Sequence, residues 1–386
     1  MNIYLDNAAT TKISPEVLEA MMPYLTEEYG NAGSLYKMGR RAAEAIQRAR
    51  EQAALLFGCT AEHVIFTSGG SEGNSTVFAG LRDRLLASGK KHLIVSAIEH
   101  DSVLKAAQAL TKDGFYITYL QPMSNGHISQ EQVEEAIQED TGLVSVMFVN
   151  NETGVVNDVR GISRVCREHS ILYHMDCVQA AGLYELHTDI CADFATVSSH
   201  KIHGPKGVGA LYVRDRTLTP LICGGSEQEF GLRGGTENVA GIVGFGCACE
   251  AAIRNLKEDT VHISTVRQRF YMTLMKELDA LGVDRDTIHI NGLSAITPGK
   301  VLNLRIDGVD AETLLLMLDV KGVCASAGSA CRSHEAEPSH VLTAMGLSRD
   351  EARSSIRVSF SKYNTLEEVK EAAEIFAHCI SVLKQG

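Results

Sequence analysis

Val64-Ile65-Phe66-Thr67-Ser68-Gly69-Gly70-Ser71-Glu72-Gly73-Asn74 runs from a short β-branched apolar stretch through a turn of small residues towards a helix. A short apolar run bounded by glycine reads as a strand buried on both faces. The pattern recurs: Leu93-Ile94-Val95, Tyr116-Ile117-Thr118-Tyr119, Leu143 to Val149 and Ile171-Leu172-Tyr173 are similar runs, with helical segments such as 129–139 between several of them. Alternation of this kind predicts an α/β fold, a mostly parallel sheet covered by helices on both faces. Ser14-Pro15 reads as an N-cap and first helical residue of a helix through Tyr24, and residues 38–57 carry apolar positions at helical spacing up to Gly58. Beyond about residue 258 the pattern becomes α+β: a helix over 260–281, strands at Val301–Ile306 and Ser355–Phe360, helices over 310–319 and about 365–384. The expected division is a large domain over 15–258 and a smaller one formed by 1–14 and 259–386.

Composition bounds the function. With 386 residues, 45% hydrophobic and 22% charged, the chain can build a substantial core. A net charge of −12 and the lack of any basic run argue against direct nucleic-acid binding. Ten cysteines are scattered without a CxxC pair or zinc-type spacing, so neither disulfides nor a metal is expected. The start, MNIYLDNAATTK, lacks a charged region followed by an apolar one, and no apolar run is long enough to span a membrane. These features predict a soluble cytoplasmic protein.

Chemistry concentrates in a few segments. Ser198-Ser199-His200-Lys201-Ile202-His203-Gly204-Pro205 reads as a strand ending in polar residues, with a returning strand through Tyr212. A lysine crowded beside serine and histidine is either a solvated loop residue or a Schiff-base amine whose neutral form is favoured by desolvation. The turn Thr67 to Asn74 is either a plain strand–helix connection or a phosphate cradle at a helix N-terminus. Asp176 after His174-Met175 is either a helix N-cap or a partner for a protonated pyridine nitrogen. His100, after Glu99, is either a cap or a residue that stacks on a flat ring or moves a proton. Ser326-Ala327-Gly328-Ser329-Ala330-Cys331-Arg332-Ser333 sets a thiol among residues too small to pin it, so Cys331 is expected to be exposed and able to travel, with 327–335 mobile and Arg332 and His334 favouring a thiolate.

Taken in order, these segments together with Tyr4 to Thr11, Asn150-Asn151-Glu152-Thr153-Gly154, Gly231 to Asn238 and Ile356-Arg357-Val358-Ser359 closely resemble the group I NifS/IscS-type cysteine desulfurases of the class V aminotransferase family. The resemblance spans the whole chain. It implies a fold-type I pyridoxal-phosphate enzyme with a mostly parallel seven-stranded sheet in the large domain and a smaller α+β domain. It implies that Lys201 links pyridoxal 5'-phosphate and moves the substrate Cα proton, that Asp176 binds the pyridine nitrogen, Gln179 the ring hydroxyl, and that His100 stacks on the ring. Gly70, Ser71, Ser198 and His200 would hold the phosphate, and Thr236 would reach the phosphate of a partner subunit, so a homodimer is implied. Asn151 and Arg357 would bind the carboxylate of L-cysteine, and Cys331 would take its sulfur as a persulfide, with His100 the candidate base. A sulfur-acceptor protein is the implied partner, serving iron–sulfur assembly or the thiolation of tRNA or a cofactor. Selenocysteine lyase or aminotransferase activity of the same fold is an alternative, as is a catalytically weak scaffold. Several positions depart from the family: Gly70, Ser71 and Gly73 stand in a segment commonly Ser-Gly-Ala-Thr-Glu-Ser-Asn, Cys177 replaces alanine, Tyr36 histidine and Asn157 glutamine. The extra glycine is expected to loosen the turn. The end at Leu383 to Gly386 resembles the NifS-like branch more than the longer-tailed IscS branch.

Overall fold

The apolar runs form seven strands of one sheet: β2 (Val64–Thr67), β3 (His92–Ser96), β4 (Tyr116–Leu120), β5 (Thr141–Ser145), β6 (Leu172–Asp176), β7 (Phe194–Ser198) and β8 (Gly209–Val213). Their order is β2-β8-β7-β6-β5-β3-β4. β8 runs antiparallel to both its neighbours; the other pairings are parallel. This computed structural model describes residues 2–186, 188, 192–216, 227–292, 299–327 and 338–385.

Successive side chains of a strand point to opposite faces, and both faces here are covered. Phe66, Ile94, Val144, Met175 and Val197 face one apolar layer, shared with helices Lys37–Phe57 and Val239–Arg254. Ile65, Leu93, Val95, Leu143 and Phe194 face the other, shared with helices Gly70–Ala87 and Asp101–Leu110. Edge strand β4 leaves Tyr116 and Tyr119 exposed. Burial on both faces is why these strands read as unbroken apolar runs.

Helix ends follow their local chemistry. Ser14 accepts a hydrogen bond from the Val17 N–H and Pro15 begins the helix Pro15–Thr26. Gly58, at φ 73°, closes Lys37–Phe57 in the left-handed conformation that glycine tolerates. The run Leu143 to Val149 continues as strand only to Ser145: Glu99 takes the Met147 N–H, and the chain then enters a turn at Asn150.

A separate core gathers the C-terminal elements. Strands β9 (Ile288–Ile290), β10 (Val301–Ile306) and β12 (Ser355–Ser359) form an antiparallel sheet of order β12-β10-β9. Helices Leu256–Ala280 and Leu366–Gln385 contribute to this core, in which Phe270 meets Phe360 and Phe376 edge-on at 5.5 and 5.2 Å. The N-terminal strand β1 (Ile3–Tyr4) pairs in parallel with β11 (Val323–Cys324), and Leu5 is fully buried in this same core. Among the described residues no single helix is long and apolar enough to cross a membrane.

Candidate active site

In a mostly parallel sheet the carboxyl ends of the strands are where ligands gather. The segments after β2, β3, β5, β6 and β7 converge here on a cavity of about 730 Å³. They bring Gly70, Ser71, His100, Asn151, Asp176, Gln179, Ser198, His200 and Lys201 together, and β12 adds Arg357. Thr236 does not line the cavity; it is exposed. Cys331 lies outside the described residues, as do Arg332, His334 and most of 327–335. Ser326 and His340, which bracket that segment, both line the cavity.

Lys201 ends a short 3-10 turn after β7. The chain must fold back tightly there: Gly204 donates its N–H to the Ser199 carbonyl, and a Cβ on Gly204 would collide with Ser199. The Lys201 ammonium donates to the carbonyls of Ala8 and Ala9, at 2.5 and 2.7 Å. Burial, reinforced by the Arg357 cation, lowers this amine to about 8. Near neutral pH a usable fraction is therefore the nucleophilic free base. His200 sits against Thr10, Nδ1 to Oγ1 at 3.1 Å; burial, then Lys201, Lys206 and Lys300, lower its imidazole to about 4.

Asp176 ends β6 with its carboxylate fixed on both oxygens. Oδ2 accepts from Asn74 Nδ2 at 2.8 Å and Oδ1 from the Val178 N–H at 2.9 Å. Gln179 donates Nε2 to the Ala8 carbonyl, leaving its Oε1 buried and unpartnered. His100 is the cap that its sequence allowed: its Nδ1 accepts the Ser102 N–H at the start of Asp101–Leu110, and the residue also lines the cavity. Asn150 makes the turn that presents Asn151, its Oδ1 accepting from the N–H groups of Glu152 and Thr153. Arg357 donates Nη1 to the Asn151 carbonyl at 3.0 Å and Nη2 to Asp6 Oδ1 at 2.9 Å.

The open polar groups of the cavity fit a ligand that both donates and accepts hydrogen bonds, with an anionic group at the helix N-terminus. Oδ1 of Asn74 and Asn151, Oε1 of Gln179 and Nε of Arg357 are buried around the cavity without a partner, and buried polar atoms without partners are costly unless a ligand meets them. Gly69, at φ 152°, adopts backbone that only glycine takes easily and opens the helix Gly70–Ala87, whose first N–H groups have no helical acceptor. Ser198 and Ser71 add hydroxyls beside that end.

The glycines of this segment correct the expectation of a loosened turn. Gly73 lies inside the helix, and a Cβ on it would stand 2.7 Å from Thr196 Cγ2; one on Gly70 would stand 2.9 Å from Val178 Cγ2. Thr196 and Val178 occupy the space that larger helix residues would use. Packing, not flexibility, explains both glycines. Asn157 is buried and fixes backbone, donating to the Met147 carbonyl and accepting from the Ile128 N–H. Tyr36 is exposed before the helix Lys37–Phe57.

Residues 3–371 match the family described as aminotransferase class-V. The chain belongs to the class-V aminotransferase family. A cysteine desulfurase IscS from Anaeromyxobacter sp. (strain K) is 42% identical over 387 residues, covering 99% of this chain and 93% of its own. Among solved structures, a NifS-like protein superposes with a TM-score of 0.88 at 35% identity, covering 99% of this chain and 100% of its own. SspA in complex with cysteine superposes at 0.77 with 33% identity, covering 95% and 100%. Class-V members of this kind use pyridoxal phosphate, whose polar ring groups and phosphate the cavity's open acceptors and N–H groups suit. Sequence reasoning missed several contributors: Asn74 on Asp176, Asp6 on Arg357, and the Ala8 and Ala9 carbonyls on Lys201. The N-terminal motif was legible as a segment, but nothing in it assigned these contacts.

Proposed function

We propose that the chain converts L-cysteine to L-alanine as a pyridoxal-phosphate-dependent cysteine desulfurase, carrying the sulfur as a persulfide on Cys331. One observation carries this reading: a lysine held partly neutral, a doubly anchored aspartate and a carboxylate-binding arginine share one cavity. Both described ends of the Cys331 segment line it too. From Ser326, five residues of chain reach up to about 17 Å, enough to bring a thiol across such a cavity.

Bound here, pyridoxal phosphate would supply the electron sink for the pair released when the substrate Cα–H bond breaks. Asp176 would meet its pyridine nitrogen, Gln179 its ring hydroxyl and His100 its ring, and Gly70, Ser71, Ser198 and His200 would hold its phosphate. Arg357 and Asn151 grip the substrate carboxylate and present its Cα to Lys201; the planar guanidinium suits bidentate contact. Lys201 takes the Cα proton as its free base. The Cys331 thiolate, with His100 as its candidate base, attacks the substrate Sγ. The Cβ–Sγ bond breaks, a Cys331 persulfide forms, and protonation at carbon completes alanine.

The division into a domain over 15–258 and one from 1–14 and 259–386 is supported by β1 pairing with β11 and by Leu5 in the C-terminal core. A homodimer, with Thr236 reaching the partner's phosphate, is supported by the exposure of Thr236 outside the cavity and of Leu18, Met22 and Leu25 on one helix face. The sulfur passes to an acceptor protein, and the enzyme works in the cytoplasm. Incubating the purified protein with cysteine and measuring alanine and sulfide tests the reading. Loss of alanine release in Cys331→Ala is expected; unchanged release would point instead to a lyase or aminotransferase of the same fold.

A further inference from the structure

A line of hydrogen bonds crosses the candidate site from the end of β6 to the start of the helix Asp101–Leu110. Asp176 Oδ2 accepts from Asn74 Nδ2 at 2.8 Å, and the same Asn74 nitrogen donates to Ser102 Oγ at 2.9 Å. Ser102 Oγ lies 2.8 Å from His100 Nδ1, which also accepts the Ser102 N–H at 3.1 Å. All four residues line the cavity of about 730 Å³.

Each link runs in one direction. An ionised carboxylate only accepts, so Asp176 fixes which way the Asn74 amide is turned. Asn74 is 1% exposed, so its second N–H needs an acceptor within the protein, and Ser102 Oγ is the one in reach. With Asn74 donating to that oxygen, the Ser102 hydroxyl hydrogen is left for His100 Nδ1. The Ser102 N–H can only donate, so Nδ1 receives hydrogens and carries none of its own. The imidazole proton is thereby left on Nε2. The neighbouring ionisable groups are engaged elsewhere: Asp101 with Lys105 at 2.6 Å, and His340 through Nε2 with the Glu99 carbonyl at 2.9 Å.

We propose that Ser102 is a positioning residue for this site: backed by Asn74 and Asp176, it holds His100 as the tautomer with its proton on Nε2, so that the ring nitrogen left for a ligand is an N–H donor. The inference rests on His100 meeting the cofactor in the proposed function, and it narrows the part His100 plays there. A donor of this kind can bind and orient a ring oxygen, a carboxylate or a sulfur. To take up a thiol proton, the ring must either release Nδ1 or exchange tautomers, and both break the two bonds from Ser102. The arrangement therefore favours His100 as a hydrogen-bond donor over His100 as the base.

The test is the 15N spectrum of histidine-labelled holoenzyme at about pH 8, above the ordinary histidine range. Long-range proton–nitrogen correlations separate ring nitrogens that carry a proton from those that do not, and His100→Gln assigns the pair of signals among the 14 histidines by removing it. An unprotonated Nδ1 and a protonated Nε2 are expected; a protonated Nδ1, or two averaged signals, would overturn the proposal. Ser102→Ala removes the hydroxyl but keeps the N–H, and should move the tautomer ratio roughly 3- to 10-fold towards protonated Nδ1. Ser102→Thr restores the hydroxyl and should restore the wild-type signals. An unmoved ratio in Ser102→Ala, or an equal change in Ser102→Thr, would take Ser102 out of the role; a merely structural serine would leave the ratio alone in both. The proposed function fails separately. Expected signals in a holoenzyme that releases no alanine from cysteine would sink that function and leave this inference standing. If the protein takes up no pyridoxal phosphate, the cofactor reading falls, and the same spectra of the unliganded protein still decide the tautomer.

Discussion

Gly73 offers the sharpest test of how the helix Gly70–Ala87 is packed. In an open helix interior, glycine to alanine stabilises by about 1 kcal/mol. At this position the new Cβ would lie 2.7 Å from Thr196 Cγ2 and 3.2 Å from Thr196 Oγ1. Carbon atoms in good contact sit at roughly 3.5–4.0 Å, so something must move by about 1 Å. Thr196 is poorly placed to do so: it is fully buried, paired with Asp176 in the β6–β7 ladder, and its Oγ1 faces His174 Nε2. Overpacking of this kind costs about 1–3 kcal/mol, so Gly73→Ala should be neutral to destabilising rather than stabilising. In a Thr196→Ser background Cγ2 is gone, and the same change should recover most of the helix gain. The coupling between the two sites should be about 1–2 kcal/mol, read by urea denaturation of the four proteins of the cycle. A second readout follows from the neighbour: Asn74 holds Asp176, so Gly73→Ala should also loosen cofactor binding, and the double variant should restore it. Equal stabilisation by Gly73→Ala in both backgrounds would refute the packing argument.

Arg357→Lys keeps the charge but loses the fork, and one charge-assisted hydrogen bond is worth about 1.5–3 kcal/mol. KM for cysteine should rise roughly 10- to 100-fold, with kcat falling less; a kcat loss alone would contradict a carboxylate-binding role. Burial holds His174 near 3 and His200 and His203 near 4. Below about pH 6.5 the unfolded chain therefore takes up protons that the folded one does not, and stability falls as pH falls. Each should cost about 2 kcal/mol between pH 7.5 and pH 5. Denaturation midpoints of His174→Gln should show a shallower fall, and an identical fall would count against the buried-neutral reading. Arg50 meets Glu229 in a buried two-point ion pair at 2.6 and 2.7 Å, and Glu229 also accepts the Phe66 N–H. Arg50→Met strands that carboxylate and should cost about 3–5 kcal/mol, with partial recovery on adding Glu229→Gln; a loss under about 1 kcal/mol would mean that solvent reaches the pair.

The strands were legible because burial on both faces leaves an apolar run, and helices Pro15–Thr26 and Lys37–Phe57 because their caps are local chemistry: Ser14, Pro15 and Gly58 act within a few residues. Site residues were legible where they end strands, as Asp176 ends β6 and Lys201 follows β7. What could not be read were partners supplied from far along the chain. Lys201 and Ala8 are 193 positions apart, Arg357 and Asp6 are 351 apart, and neither end carries a signal of the other. Gly73 failed for the same reason. A glycine in sequence says that a side chain is missing, but only the fold says that Thr196 occupies the space.

The pair Glu99-His100 shows how adjacent residues divide one task between core and cavity. His100 caps a helix and lines the cavity, while Glu99 is fully buried. Glu99 has one donor, the Met147 N–H at 2.6 Å, and its second oxygen has none. Burial, and then the charge of Asp176, push its carboxyl well above the usual carboxylate range. Asp176, by contrast, has donors on both oxygens, from Asn74 and Val178. The supply of donors is uneven: the carboxyl that lines the cavity, at the end of β6, has one on each oxygen, and the buried one that does not line it has a single N–H. The better-supplied carboxyl is the one that the sheet delivers to the cavity.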